Sequence, residues 1–234
     1  MDFQTAIACA NFVATIYEIT KDVNPLHIYL KKYLDNKINN LSDETSKAVK
    51  QIPNENIQSP NISILLPAIN ESIYYLEKDE IKDMFKNLIT SSFDKTKNEY
   101  AHPGFVGIIK QLSPKDACLL SFIKDSNDIT GISLVDSDNK EYLVINKMFI
   151  DFESIKQCAL SINNLSRLGL IVVKSRDSIS YINSEDGYFE IDNAVPYENT
   201  DQLSKIAKNN NCSVYKVKAY LTVLGENFLK VCIE

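Results

Sequence analysis

Two helix starts separated by a short break, all within residues 102–117, constrain the fold of this chain more than any other feature. Pro103 suits the first position of a helix, because the N–H that proline lacks would have no partner there. The helix that it begins has an apolar face formed by residues at helical spacing: Phe105, Ile108, Ile109 and Leu112. Ser113, Pro114 and Asp116 then mark a second start, as the cap, the first position and an acid favoured by the helix dipole. The sequence therefore predicts a junction between two helical units at this point.

Length and composition leave room for one large domain or two small ones. The chain has 234 residues, of which 44% are hydrophobic and 24% are charged, as in an ordinary globular protein. Its net charge is −6, and the acidic excess is shared equally between residues 1–105 and 106–234. Because both halves are acidic, the chain is not a general polyanion binder, and any contact with nucleic acid must come from a local patch.

Targeting signals and metal-binding patterns are both missing from the sequence. No apolar run approaches the roughly 20 residues that a membrane span needs, and the first residues lack the basic start of a signal peptide. The five cysteines are scattered, with no Cys-x-x-Cys pair, and only two histidines could join them. We therefore expect a cytoplasmic protein with buried, reduced thiols, without a zinc site and without a cofactor.

Helical periodicity dominates residues 1–112. Apolar residues recur at helical spacing in the segments 6–17, 26–38, 62–73 and 81–89. Pro67 lies inside the third of these segments and predicts either a kink or a late helix start. Residues 39–60 are polar and contain two prolines, so they are predicted to form a weakly structured connection, with a short helix over 42–50.

Residues 113–234 mix helices with short strands. The predicted elements are a helix over 114–123, a hairpin over 129–145, a helix over 152–168, strands over 170–173 and 178–181 around a turn at 174–177, a helix over 200–208, a strand over 214–221 and a final helix. Gly169 stops the second of these helices, and Thr222 caps the last one. The predicted fold class is mainly α with small β-hairpins (α+β). A helical N-terminal region, 1–112, precedes a winged-helix-like C-terminal domain, 113–234.

The winged-helix interpretation rests on the order of elements after residue 150. In that fold a recognition helix ends at a glycine and runs into a two-stranded wing. One side of the helix over 152–168 carries amide and basic side chains, the types that contact base edges and phosphates. The candidate nucleic-acid or partner contacts on this helix and in the predicted wing are Lys156, Gln157, Asn163, Asn164, Arg167, Lys174 and Arg176. A solvated helix face with an ordinary turn is the alternative, and many winged helices bind proteins rather than DNA.

Two further candidates favour structural roles. His102 has no nucleophile or orienting carboxylate at a recognisable spacing, so we expect it to fix a turn or to cap a helix. The run Asp136-Ser137-Asp138-Asn139 lacks the glycine and the distal glutamate of a calcium loop, and it predicts a hairpin turn. The sequence also lacks a glycine-rich phosphate loop and the motifs of zinc and serine hydrolases. No catalytic, cofactor-binding or metal-ligating residue is therefore assigned.

Blocks of sequence on both sides of the junction form a recognisable pattern: 67–69, 83–92, 102–117, 167–171 and 221–232. Together they resemble the Abi-alpha family of bacteria, whose name stands for abortive infection alpha. The resemblance covers the chain from about Ile57 onwards, with Gly104 as a mild departure from the family's pattern. The motif residues, which we expect to be structural, are His102, Pro103, Phe105, Leu112, Ser113, Pro114, Asp116, Gly169, Thr222 and Gly225.

The resemblance implies a setting in phage defence rather than a reaction, because the family carries no established catalytic residues or cofactors. We expect a non-enzymatic antiphage-defence protein of the abortive infection type that acts through macromolecular interaction. A protein partner or self-association is expected, with an exposed apolar patch on the N-terminal helices. The alternative is a winged-helix DNA-binding transcriptional regulator that uses the local patch, and the least favoured interpretation is an enzyme with a site around His102. Neither a membrane nor a small-molecule substrate is expected.

Overall fold

The computed structural model describes residues 25–124, 129–144, 152–177 and 200–233, and in these the chain is mainly helical with antiparallel strands. This confirms the α+β class. The chain forms two compact units, one of Met1–Pro114 with Asn227–Glu234 and one of Lys115–Glu226. The predicted domains 1–112 and 113–234, and the winged-helix arrangement of the second, stay predictions.

The first unit is built from helices. They are α1 (Pro25–Lys50), α2 (Ile62–Ser72), α3 (Asp79–Ser91), α4 (Lys95–Asn98) and α5 (Gly104–Ile109), with short 3-10 turns at Asn54–Asn56 and Ile73–Tyr75. The predicted stripe of α3 is buried in full: Ile81, Met84, Phe85, Leu88 and Ile89. These side chains belong to the core of the unit.

Helix α1 continues through residues 39–50, so the short helix predicted over 42–50 is confirmed as the end of α1, and the weakly structured connection predicted for the residues just before it is helical instead. Its buried face explains the difference, since Leu41, Thr45 and Val49 follow one another at four-residue spacing. Thr45 is nearly fully buried, and its Oγ1 donates a hydrogen bond to the carbonyl oxygen of Leu41 at 2.7 Å. Because its hydroxyl is hydrogen-bonded within the helix, Thr45 can occupy a core position although it is a polar residue. The polar composition of the segment therefore gives no sign of this buried face.

Helix α2 begins before its proline. Asn61 caps it by accepting the N–H of Ser63 at 3.1 Å, and Pro67 lies in the helix interior. The predicted late start is therefore wrong. Ile64, Leu65, Ala68 and Ile69 are buried, so the apolar face runs past the proline on both sides.

The C-terminal turns of the last helix, α9 (Val223–Cys232), complete the first unit. Phe228 meets Phe105 edge to face, with ring centroids 5.2 Å apart and an interplanar angle of 79°, and both side chains have no exposed surface. Asn87 Nδ2 donates to the carbonyl oxygen of Cys232 at 3.0 Å, and Ser91 Oγ donates to that of Val231 at 3.1 Å. Aromatic packing and these polar contacts fix the helix end.

The second unit contains a four-stranded antiparallel sheet. Its strands are β1 (Ile129–Val135), β2 (Glu141–Val144), β3 (Ile171–Asp177) and β4 (Ser213–Leu221), and their order in the sheet is β2-β1-β4-β3. The predicted hairpin is confirmed, because β1 pairs with β2 and Val135 lies opposite Glu141.

Strand β3 corrects the prediction for the wing. It runs to Asp177, with a bulge between Lys174 and Arg176, and it pairs with β4. The predicted turn at 174–177 is therefore wrong, because β4 supplies the backbone hydrogen bonds that extend the strand. The predicted strand at 178–181 lies outside the described residues.

Three helices accompany the sheet: α6 (Pro114–Lys124), α7 (Phe152–Arg167) and α8 (Thr200–Asn209). The core joins side chains of α7, α8 and the loop after it with the β1–β2 hairpin: Ile132, Leu134, Val144, Ile155, Ala207 and Cys212. Burial of this face of α7 leaves its opposite face to the surface. Across the described residues, no helix combines the length and the apolar character that crossing a bilayer requires.

Candidate functional site

The predicted contact residues divide between α7 and β3. Lys156, Asn163 and Arg167 are exposed on α7, whereas Gln157 and Asn164 are half-buried. Lys174 and Arg176 lie on β3, where only their backbone is described. The structure thus brings five of the seven candidates onto one helix.

A hydrogen-bonded chain runs from the interior of the second unit to the end of α7. The carboxylate of Asp116, only 3% exposed, accepts a hydrogen bond from Asn164 Nδ2 at 3.0 Å. Asn164 Oδ1 in turn accepts from Arg167, at 2.7 Å from Nη2 and 3.3 Å from Nε. The first-turn position predicted for Asp116 is confirmed, and its carboxylate also fixes the amide of Asn164.

Two other candidates on α7 also have partners within the second unit. Gln157 Oε1 accepts from Lys115 Nζ at 2.9 Å, and Lys156 Nζ lies 3.4 Å from Glu153 Oε2. The amide oxygens of Gln157 and Asn164 are therefore engaged by neighbouring cations. Reading a base edge uses both the donor and the acceptor of an amide, so these bonds would have to open before either side chain could contact a base in that way.

Leu160 stands at the centre of the same face with 66% of its surface exposed. Sequence reasoning missed this residue and Lys115. Helical spacing would have found the first, since Lys156, Leu160 and Asn163 are four and then three residues apart. Lys115 lies on another helix, so no pattern local to α7 indicates it.

Gly169 ends α7 as predicted. Its φ is +74°, its N–H donates to the carbonyl oxygen of Ser166 at 3.0 Å, and the N–H of Leu170 donates to that of Leu165 at 3.0 Å. These are the two hydrogen bonds of a Schellman motif, with Leu165 and Leu170 both buried. The glycine is required by its left-handed backbone.

Thr222 and Gly225 form a close contact with the residues that follow α7. Thr222 Oγ1 accepts the N–H of Gly225 at 2.9 Å, as a helix cap does, and donates to the carbonyl oxygen of Gly169. A Cβ atom on residue 225 would lie 2.0 Å from the carbonyl oxygen of Leu170. Only glycine fits at residue 225.

His102 holds the start of α5. Its Nδ1 accepts the N–H of Gly104 at 3.0 Å, and its carbonyl oxygen accepts the N–H of Phe105 at 2.9 Å. A Cβ on residue 104 would lie 2.9 Å from this Nδ1, so a larger residue there would require the imidazole to shift. Pro103 precedes the helix with φ −54° and ψ −31°, so it is already helical. Of the two roles predicted for His102, the structure shows the turn, since Pro103 is the N-cap residue of α5.

The remaining motif residues also serve the fold. Phe105 and Leu112 are buried, and α6 begins at Pro114, directly after Ser113. These positions match the predicted helix starts.

The acidic run at 136–139 is a hairpin turn, as predicted. Asp136 Oδ1 accepts the N–H groups of Asp138 and Lys140, each at 2.9 Å, and Oδ2 accepts the hydroxyl of Tyr142 at 2.9 Å. The backbone hydrogen bond from Lys140 is the main cause that lowers the pKa of Asp136, and the bond to Asp136 raises the pKa of Tyr142. Within the described ranges, no group of three or more histidine, cysteine or acidic side chains is arranged to hold a metal.

The described cysteines are free thiols in different surroundings. Cys212 and Cys232 are buried, Cys158 is half-buried and Cys118 is exposed, which corrects the expectation that all are buried. Burial raises the pKa of the Cys212 thiol and also that of the Cys232 thiol. Cys118 departs from the expectation because it lies on the outer side of α6, whose inner side carries Leu119, Leu120 and Ile123.

We expect a thiol reagent to modify Cys118 well before Cys212 and Cys232, because reaction requires an accessible thiolate. The measurement is reaction with an aromatic disulfide, followed by absorbance, in a Cys9→Ser background. Cys118→Ser should remove the fast phase. A fast phase that persists in this variant would contradict the assignment.

The family model described as abortive infection alpha matches residues 33–232, from within α1 to the last residue of α9. The chain belongs to the abortive infection alpha family. The matched range begins before Ile57, the residue from which the sequence motifs indicated the resemblance. No curated protein matches the chain, and no solved structure does.

The contacts described above explain why this abortive infection alpha protein has these residues at the motif positions. His102 holds a helix start, Gly169 a helix end, and Thr222 with Gly225 a close backbone contact. Because these residues serve the fold, candidates for function lie among the exposed side chains, above all on α7.

Proposed function

We propose that this chain is a non-enzymatic component of bacterial antiphage defence, of the abortive infection type, and that it acts by binding another macromolecule. The family match over residues 33–232 carries the proposal. Abortive infection halts an infected cell before phage progeny are released, and binding a phage or host component can trigger or produce that arrest.

A non-catalytic mode is supported by what the motif residues do. The imidazole of His102 is engaged through Nδ1 in a backbone hydrogen bond, and Asp116 is buried against Asn164. General base catalysis needs a basic atom that can reach a substrate proton. In the part of the chain that the structure describes, both of these groups are engaged in hydrogen bonds that hold the fold.

We propose a winged-helix-like form for the second unit as the frame for that binding. Helix α7 ends at Gly169 and leads into β3, β3 pairs with β4, and β4 leads into the helix capped by Thr222. Such a unit presents α7 as its recognition helix. The engaged amides of Gln157 and Asn164 favour a protein partner over DNA for this helix.

A phage challenge tests the proposed function. Bacteria that express the full chain are infected at low and at high multiplicity, and phage yield and cell survival are counted. We expect reduced phage yield at low multiplicity and loss of the infected cells at high multiplicity. Equal yield with and without the chain across a phage panel would refute the proposal.

Two substitutions at His102 separate a cap from a catalytic base. In the variant His102→Asn, the side-chain oxygen of the new asparagine can accept the same Gly104 N–H, because asparagine readily forms this two-residue turn. We expect His102→Asn to keep phage protection, while His102→Ala lowers the free energy of unfolding by about 1 kcal/mol. Loss of protection in a folded His102→Asn variant would point to chemistry at the imidazole.

A further inference from the structure

We propose that the exposed face of α7 around Leu160 binds an acidic protein segment that carries an apolar side chain. This inference rests on the proposed function, for which it names the contact surface and the chemistry of the partner. We call this surface the Leu160 face, and its residues are Lys115, Lys156, Gln157, Leu160, Asn163, Asn164 and Arg167.

The geometry of α7 gathers these side chains on one surface. Lys156, Leu160 and Arg167 are four and seven residues apart, and therefore lie on one stripe of the helix. The opposite stripe, with Ile155, Ala159 and Ile162, is buried. A single exposed leucine is ordinary on a protein surface, but this one lies between cations that are one turn before it and two turns after it.

Charge sets the face apart from the rest of the protein. Lys115, Lys156 and Arg167 supply three positive charges, against two negative charges from Glu153 at the edge and from the buried Asp116 beneath Asn164, so the face is positive on balance. The whole chain carries −6, so this face is a local reversal of the prevailing sign. A partner with carboxylates around an apolar side chain complements both the charge and Leu160.

The Leu160 face favours protein over nucleic acid. The amides of Gln157 and Asn164 are engaged by Lys115, Asp116 and Arg167. The central position is instead held by Leu160, a side chain that cannot donate or accept a hydrogen bond. A leucine ringed by polar groups is the arrangement of a protein interface, in which an apolar centre is surrounded by a polar rim.

Asp116 and Asn164 give the face rigidity. The buried carboxylate orients Asn164, whose oxygen holds two N–H groups of Arg167. A guanidinium fixed in this way loses less side-chain entropy when a partner binds the face. Asn164 is therefore a positioning residue for Arg167.

The test measures fluorescence anisotropy with the purified full chain and four labelled probes. The first probe is a short peptide with a central leucine flanked by glutamates. The second has lysines in place of the glutamates, the third has serine in place of the leucine, and the fourth is a short DNA duplex. We expect the first peptide to bind most tightly and to weaken as salt is added.

Variants of the face have matched controls elsewhere in the chain. Leu160→Asp should weaken binding of the first peptide about tenfold, and Lys156→Glu with Arg167→Glu should weaken it at least as much. Ile62→Asp, at an exposed apolar residue of the first unit, and Lys140→Glu, at an exposed lysine of the hairpin, should leave binding unchanged. Circular dichroism confirms that each variant is folded.

Four results would overturn the inference: no binding of the first peptide, equal binding of the glutamate and lysine peptides, tighter binding of the duplex, or no effect of Leu160→Asp. These results do not depend on the phage challenge. If the chain protects cells against phage but does not bind the first peptide, only the inference about the Leu160 face is refuted. If the chain binds the first peptide but does not protect cells against phage, only the proposed function is refuted.

Discussion

Gly225→Ala is expected to lower the free energy of unfolding by about 3 kcal/mol or more, because the added Cβ would lie 2.0 Å from the carbonyl oxygen of Leu170. The obstacle is backbone, so no side chain can rotate to make room. Relief would separate the start of α9 from the end of α7 and disturb the hydrogen bonds that Thr222 donates to the carbonyl oxygens of Gly169 and Leu170. Denaturant unfolding followed by far-UV circular dichroism measures the loss.

The same substitution at Gly107 is the matched control. Gly107 lies in α5, and a Cβ there would meet nothing within 4 Å. Alanine is the better helix former, so Gly107→Ala is expected to raise the free energy of unfolding by about 0.5–1 kcal/mol. If the two variants shift unfolding in the same direction, the close contact at Gly225 does not control stability.

Features set by chemistry within a few residues were predictable from the sequence. The stop at Gly169, the cap at Thr222 and the hairpin turn at Asp136 each involve residues at most a few positions apart. The apolar stripes of α2, α3 and α5 were equally predictable. A helix with one face in the core and the other in solvent has apolar residues that repeat every three or four positions.

Features that depend on distant partners were not predictable. Strand β3 reaches Asp177 because β4, about forty residues later, pairs with it. The helix predicted over 42–50 was correct, but its continuity with the residues before it was missed, because Ser42 and Thr45 take core positions that apolar residues usually hold. On α7 the sequence indicated the polar face but not its internal bonds, since Asp116 and Asn164 are 48 residues apart.

Among the described residues, exposed apolar side chains lie in both units. The sequence favoured the N-terminal helices, where Ile62 and Tyr74 are the large apolar residues found exposed in the described part. Leu160, Val172, Tyr220 and others in the second unit are exposed as well. The expected apolar patch on the N-terminal helices stays a prediction, because the side chains of residues 1–36 lie outside the part of the chain that the structure describes.

Phe228→Ala is expected to cost about 3–5 kcal/mol, the range for removing a fully buried phenylalanine. The variant leaves a cavity against Phe105 and removes an edge-to-face contact between rings 5.2 Å apart. Denaturant unfolding measures the change, with Tyr74→Ala as the control, since Tyr74 is an aromatic residue of the same unit that is 76% exposed. That control should stay within about 0.5 kcal/mol of the parent.

A double variant with Phe105→Ala distinguishes the ring contact from general loss of core volume. If the rings interact directly, the double variant loses less than the two single losses combined, by about 0.5–1.5 kcal/mol. Strict additivity would mean that each ring acts only through its other neighbours. Coupling would show instead that residues near the C-terminal end of the sequence stabilise the core formed by its first half. In that case Phe105 is the residue against which the C-terminal helix packs. Its presence in the family motif is then explained by core packing rather than by a chemical role.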